Sequence, residues 1–454
     1  MPSFSFLNLT FLFKYLQIII LAVFTLSANI APSLAQEEEA EETPRPAEEI
    51  YSDLALFGEV FDRIRAEYVD VPDERELIRA AIDGMLSSLD PHSGYLAPVA
   101  YDDMLQDTTG EFGGLGIEVT MEEGVVKIVS PIDDTPASRA GLLANDYITE
   151  LDGEQVFGMT LDQAVGKMKG FIGTKITLTV VREGVSEPLT FEIIRDTISL
   201  RAVRYVIEQD IGILRLSRFS EQAYSGIEKS IRAIFNERGG KAPKGLILDL
   251  RNNPGGLVDQ AVYVADAFLS RGTVVLTRGR TAGESTKYEA KPDDLDRLIK
   301  KIPLVVLING GSASSSEILA GALQDQKRAT LVGTRSFGKG TVQSIISLRG
   351  NNGAMRLTTS RYFTPSNRSI QALGITPDIE IFQDVPDELK GKDEIVGEAA
   401  LKGHINSEGD KEENTAGSSV YVPGDTTKDN QRNYAIKLIL GEETNEAFPP
   451  NTKK

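Results

Sequence analysis

Four serines fall within five positions of the stretch "INGGSASSSEI", residues 308–318: Ser312, Ser314, Ser315 and Ser316. A serine hydroxyl becomes a useful nucleophile only when a nearby group takes its proton. The stretch follows an apolar run, "PLVVLING", and leads into a segment with Ile318, Leu319, Ala322 and Leu323 on one helical face. It therefore reads as a strand–turn–helix junction and not as a linker. A serine at such a junction can serve as an N-cap, satisfying a free backbone N–H. It can also attack a carbonyl, because the same junction offers N–H groups and the positive end of the helix dipole to a developing oxyanion. Four serines are more than a cap requires.

The usual base would be histidine, and the chain has two. His404 lies in a polar, charge-rich stretch, and His92, in "LDPHSGYL", follows a helix stop and suits a structural turn. Lysine is the next choice, provided that burial lowers its pKa. A shift from about 10.4 to near 7 costs roughly 4–5 kcal/mol, so the site must be apolar and enclosed. Lys339, in "VGTRSFGKGTVQ", is the candidate, since Gly338 and Gly340 let the backbone pass close to other groups. Two rival readings of that stretch fail. A phosphate loop needs Ser or Thr after the lysine and then a helix, but Gly340 follows and "TVQSIISL" reads as a strand. Ser336 and Lys339 have S-x-x-K spacing, but that motif needs a helix and the stretch is too rich in glycine.

These groups need a scaffold. At 454 residues the chain exceeds the roughly 250–300 that one core supports, so several domains are expected. The net charge of −19 argues against a nucleic-acid partner, whose phosphates must be neutralised by Lys and Arg. With no cysteine and no histidine cluster, no disulfide, lipid attachment, metal or cofactor is expected. Residues 1–35 read as a signal peptide: Lys14, an apolar run, then Ser33 and Ala35 at the −3 and −1 positions of a cleavage site. That makes the body of the protein exported, with a periplasmic location or an inner-membrane anchor facing the periplasm as the two forms. An acidic spacer is expected at 36–49 and a helical region at 50–105, with helices over Ile50–Tyr68 and Glu74–Leu89. A compact β-rich module with glycine turns occupies 106–195. Strand–helix–strand patterning from 196 to 382 implies a mixed or parallel sheet covered by helices. The polar stretch 383–454 is expected to be mostly disordered, with a late helix at "NQRNYAIKLILG".

The stretch "NGGSASSSEILAGALQDQKRATLVGTRSFGKGTVQS", with "ILDLRNNPGG" before it and "LTTSRYFTPSNRSIQALGITPDI" after it, closely resembles the carboxyl-terminal processing peptidases, or tail-specific proteases. The resemblance spans about residues 50–382. It implies an α/β multidomain fold, in which a PDZ domain at 106–195 precedes a ClpP/crotonase-like protease core at 196–382. It also implies a serine endopeptidase with a Ser–Lys dyad that cleaves proteins near their C-termini. By motif position the nucleophile is Ser314 and the base Lys339, with Gln343 orienting the lysine. The oxyanion hole would use the backbone N–H groups of Gly256 and Ser315. The loop Gly114, Leu115, Gly116 and Ile117 would hold a peptide's terminal carboxylate, with the peptide adding as a strand. Lys169 stands where several relatives carry Arg, and Lys cannot make the same bidentate contact. Ser315 replaces the family's usual Ala. Substrates would be protein or peptide C-termini, and an adaptor protein and a homo-oligomer are left open as further partners. The alternative function is a catalytically inactive PDZ peptide-binding scaffold.

Overall fold

The computed structural model describes residues 46–450, apart from Glu123, Asp133, Leu200 and the segment 409–415. The expected signal peptide and most of the expected acidic spacer lie outside the described residues. The spacer's last residues belong to a helix, Ala47–Glu67, which begins after Pro46 with Glu48 and Glu49 in its first turn and Arg65 in its last. Those charges match the helix dipole. The described residues up to Leu77 form a unit of their own, and no residue of this helix is buried.

In the second unit, strands Ile117–Glu122, Val125–Pro131, Tyr147–Leu151, Lys175–Val181 and Leu189–Ile194 form an antiparallel sheet in the order in which they occur. Ile176, Leu178 and Val180 are buried while their neighbours are not, the period of two expected of a sheet with one face in a core. The helix Leu161–Met168 packs on that face and is fixed by a capping box: Thr160 Oγ1 accepts from the Gln163 N–H, and the Gln163 side chain accepts from the Thr160 N–H. Strand Ile117–Glu122 is an edge of this sheet.

The larger core is a six-stranded sheet in the order Val203–Glu208, Ile211–Leu216, Gly245–Asp249, Leu304–Ile308, Thr330–Gly333 and Ile379–Glu380. The first pair is antiparallel and the rest are parallel. All residues of Gly245–Asp249 and Leu304–Ile308 are buried, so both faces of the sheet must be covered. Leu246, Leu248, Leu304, Val306 and Ile308 face a core shared with helices Ala223–Glu237, Val258–Asp266 and Ser315–Asp325. Ile247, Val305, Leu307 and Val332 face Ala435, Ile436 and Leu438 of the C-terminal helix Asn430–Leu440. A second sheet joins Gly94–Leu96, Thr273–Gly279, Thr286–Glu289, Thr341–Ser347 and Ala354–Phe363.

The expectation of a mostly disordered tail after 383 is therefore corrected. The late helix stands at Asn430–Leu440, but it covers the second face of the core sheet instead of ending a loose tail. The stretch before it is tied down by strand pairing of Glu394–Ile395 with Ser418–Ser419. Arg251, 1% exposed, lies just past the strand Gly245–Asp249 and binds Asp249 at its end and Asp429 at the cap of the helix. His404 belongs to this ordered stretch, with its Nδ1 3.0 Å from the Leu401 carbonyl oxygen.

Candidate active site

Three of the four clustered serines are occupied with the loop that precedes helix Val258–Asp266. Ser312 Oγ donates to the Leu250 carbonyl at 2.8 Å, Ser316 Oγ to Asn253 at 2.9 Å, and Ser315 Oγ to Gly256 at 2.9 Å. These bonds fasten the "NNPGG" turn to the start of helix Ser315–Asp325. Ser314 has no such bond, and its side chain faces the buried phenol of Tyr362. Its backbone is unusual: φ 54°, ψ −114°, a region costly for any residue with a Cβ. The Ser314 N–H donates to Glu317 Oε2 at 2.8 Å, which helps to hold that geometry.

Gly256 and Gly255 are glycines of necessity. At φ 142° for Gly256, a Cβ would lie 2.4 Å from the Phe219 carbonyl oxygen, and one on Gly255 would lie 2.8 Å from the Ser314 Cβ. The bridge between Phe219 and Gly256 uses the N–H groups of Phe219 and Leu257. Among the described residues, the N–H groups of Gly256 and Ser315 have no acceptor. Two free donors thus flank Ser314.

Lys339 sits in the glycine-rich loop that enters strand Thr341–Ser347. The strand confirms the reading of "TVQSIISL" and removes the phosphate-loop alternative. Glu317, fully buried, accepts from the Gly338 N–H at 2.7 Å, the Lys339 N–H at 2.9 Å and the Ser336 hydroxyl at 2.6 Å, besides Ser314. Burial pushes the Glu317 carboxyl up to about 7, against the pull of these four donors. One carboxyl group therefore ties the serine junction to the lysine loop. Burial, and next the Arg356 guanidinium, hold the Lys339 ammonium below its ordinary value, while Glu398, Glu317 and Asp90 pull it up.

Ser314, Lys339, Gln343 and Gly256 line one cavity of about 470 Å³, together with Arg356 and Tyr362. Among the described residues no hydrogen bond joins Lys339 Nζ to Ser314. Gln343 does not bond Lys339 either: its Nε2 donates to Thr341 Oγ1 at 3.0 Å and Thr358 Oγ1 at 3.3 Å. Ser315 contributes backbone and not a cavity wall.

The expected carboxylate loop lies in the smaller sheet domain. Gly114 ends a short strand, Glu111–Gly114, paired with Asp196–Ser199. Leu115 is buried and its carbonyl accepts from the Ala137 N–H. Gly116, at φ 78°, could not carry a Cβ without meeting Thr135 at 2.3 Å. The N–H groups of Leu115 and Gly116 have no acceptor among the described residues. Ile117 opens the edge strand, and Ile117, Val119, Leu161 and Val165 are apolar and only partly buried. Lys169 pairs with Asp103 at 3.7 Å and lies over the Phe112 ring.

Sequence reasoning missed Glu317 and Tyr362. Glu317 had a readable signal, the S-x-x-E spacing of a capping box from Ser314. Tyr362 had none, because only strand pairing brings it to the cavity.

Comparison with known proteins identifies the domains and the family. Residues 210–381 match peptidase family S41, residues 113–193 a PDZ domain, and residues 20–98 the N-terminal domain of the activating protease CtpB. The chain is 52% identical over 404 residues to a carboxy-terminal-processing protease of Bartonella bacilliformis, covering 89% of this chain and 92% of that protein. It is 38% identical over 324 residues to a carboxyl-terminal-processing protease of Synechocystis, covering 69% of this chain and 74% of that one. Among solved structures, the photosystem II D1 C-terminal processing protease is 28% identical, with a TM-score of 0.42, covering 75% of this chain and 96% of that one. The chain belongs to peptidase family S41, as one of its carboxy-terminal-processing serine proteases.

Proposed function

We propose that the protein is an exported endopeptidase in which Ser314 is the nucleophile and Lys339 its general base. The observation that carries this reading is the cavity that Ser314 shares with Lys339 and Gly256. Neutral Lys339 accepts the proton of the Ser314 hydroxyl as its oxygen attacks the scissile carbonyl. The Gly256 and Ser315 N–H groups stabilise the oxyanion. As the intermediate collapses, the lysine returns the proton to the departing amine, leaving an acyl-enzyme on Ser314. Water, deprotonated by the same lysine, then releases the acid. Gln343 lines the same cavity as Lys339 and is the residue assigned to orient it. The missing direct Lys339–Ser314 bond fits a site completed by substrate, since such bonds are often long until substrate enters.

The PDZ domain binds the substrate's C-terminus. The free N–H groups of Leu115 and Gly116, in the loop running from Gly114 to Ile117, hold the carboxylate. The peptide adds beside the edge strand Ile117–Glu122, with its last apolar side chain between Ile117 and Val165. Export rests on the N-terminal apolar run and its Ser33–Ala35 site. No helix among the described residues is long and apolar enough to cross a membrane. The inactive-scaffold alternative is not favoured, because the chain keeps a serine, a lysine and the free Gly256 N–H around one cavity.

The test is hydrolysis of an unfolded protein with an apolar C-terminus by the full chain. Ser314→Ala and Lys339→Ala should each lower kcat by at least ~10³-fold while the protein stays folded. An active Lys339→Ala enzyme would overturn the dyad.

A further inference from the structure

The loop that carries Lys339 is gripped from two sides. Glu317 is one. The other is assembled from three separate parts of the chain: the turn 90–93, Gln371 and Glu398. The Gly340 N–H donates to Gln371 Oε1 at 2.9 Å, where a Cβ on Gly340 would come within 2.1 Å of the Gln371 N. Gln371 Nε2 in turn donates to Glu398 Oε1 at 3.0 Å and to the Ile405 carbonyl at 2.9 Å. The Glu398 N–H donates to the Phe337 carbonyl at 3.0 Å, two residues before Lys339. The Glu398 side chain is 0% exposed, and His92 Nε2 lies 2.9 and 2.8 Å from its two carboxylate oxygens.

His92 is itself fixed. Its N–H donates to Asp90 Oδ1 at 2.8 Å, and its carbonyl accepts from Arg356 Nε at 2.7 Å. A buried carboxylate is costly unless it is paired and hydrogen-bonded, and here its partners are His92 and Gln371, the second of which also holds the Gly340 N–H. The charged groups facing Lys339 are Arg356 from the neighbouring strand, Glu317 from the serine helix, Asp90 from the turn and Glu398. Arg335 lies beside Gly397, next to Glu398.

We propose that Glu398, clamped by His92, is a positioning residue for Lys339. It fixes the backbone on both sides of the lysine and supplies the negative field against which the amine gives up its proton. The inference rests on the reading of Lys339 as the base. Glu398 favours the charged ammonium, so removing its charge makes Lys339 easier to deprotonate. His92 acts by holding Glu398 in place. It touches neither substrate nor nucleophile, so its removal should weaken the enzyme without silencing it.

The experiment compares pH profiles of kcat and KM for the full chain and three variants, with folding checked by circular dichroism. In Glu398→Gln, which keeps the shape and loses the charge, the acid limb of kcat should move to lower pH by roughly one unit. In His92→Ala, whose side chain is 17% exposed in the parent, kcat should fall ~10-fold with KM little changed. Wild-type kcat and limb position in both variants would overturn the proposal. So would a loss confined to KM or to thermal stability. If Glu398→Gln does not fold, His92→Ala decides alone. Lys339→Ala separates the two failures: if it is inactive while the other variants behave as wild type, only the positioning role is lost. If it is active, the base itself has been misassigned.

Discussion

Ser314 combines a reactive position with a strained one. At φ 54° and ψ −114° only glycine is comfortable, and a side chain there costs of order 1–3 kcal/mol. Two inactive variants should therefore differ in stability. Ser314→Gly should be more stable than Ser314→Ala by ~1 kcal/mol in urea unfolding, because glycine relieves the strain and alanine retains it. Equal midpoints would mean that the backbone at this position is relaxed. The pH behaviour of the site follows from Lys339. Its ammonium lies below the ordinary value because of burial and then Arg356, and the neutral amine is the working form. Activity is thus present above that lowered value and is lost as pH falls through it. The candidacy of Lys339 was legible in the sequence, because histidine is scarce and two glycines flank this lysine. Which serine matters was legible only from the family resemblance. In the structure the geometry favours the same choice, since Ser312, Ser315 and Ser316 are tied to the loop and Ser314 is not. Glu317 was overlooked because a capping-box glutamate looks like a local feature. Its second oxygen and its contacts with Ser336, Gly338 and Lys339 depend on a loop some twenty residues away.

At the scale of elements, the serine helix and the lysine loop depend on a sheet that is covered on both faces. The helices on one face were legible from strand–helix–strand patterning. The cover on the other face was not, because the segment that supplies it follows a polar, charge-rich stretch. A clue was present nonetheless: "KGLILDL" and "PLVVLIN" are apolar at successive positions, which implies burial on both faces, and no earlier segment was left to cover the second one. The joint between sheet and C-terminal helix is the buried ion cluster of Asp249, Arg251 and Asp429. Removing one partner leaves buried charge uncompensated. Asp429→Ala should destabilise the protein by ~3–5 kcal/mol and lower activity through the "NNPGG" turn, which begins one residue after Arg251. Urea unfolding of the variant against the parent checks this, and a change below ~1 kcal/mol would show that the cluster behaves like a surface pair.

At the scale of the whole molecule, the PDZ domain and the protease core share one unit, and the helix Pro98–Thr109 touches both. Its Asp103 pairs with Lys169 of the PDZ domain, its Asp107 with Arg218, and Met104, Asp107 and Thr108 line the cavity. Lys169 reaches this helix as a point charge, its ammonium also lying over the Phe112 ring, without the two-pronged contact an arginine would make. If the loop at Leu115 and Gly116 holds a substrate's carboxylate, amidating that terminus removes the charge it is shaped for. KM for an amidated peptide should then rise by ~10-fold or more, with kcat less affected. Steady-state rates on the paired peptides check it, and equal KM values would place substrate capture elsewhere. The order of the domains was legible because each has its own pattern: helical spacing, then short alternating strands with glycine turns, then strands that are apolar throughout.

The central claim is that Lys339 activates Ser314, and covalent labelling tests it most directly. A fluorophosphonate should modify the full-length protein at one residue, mapped by mass spectrometry to Ser314. Its rate should rise with pH as Lys339 loses its proton, and labelling should vanish in Lys339→Ala. Labelling of another residue, or undiminished labelling of Ser314 in Lys339→Ala, would contradict the account.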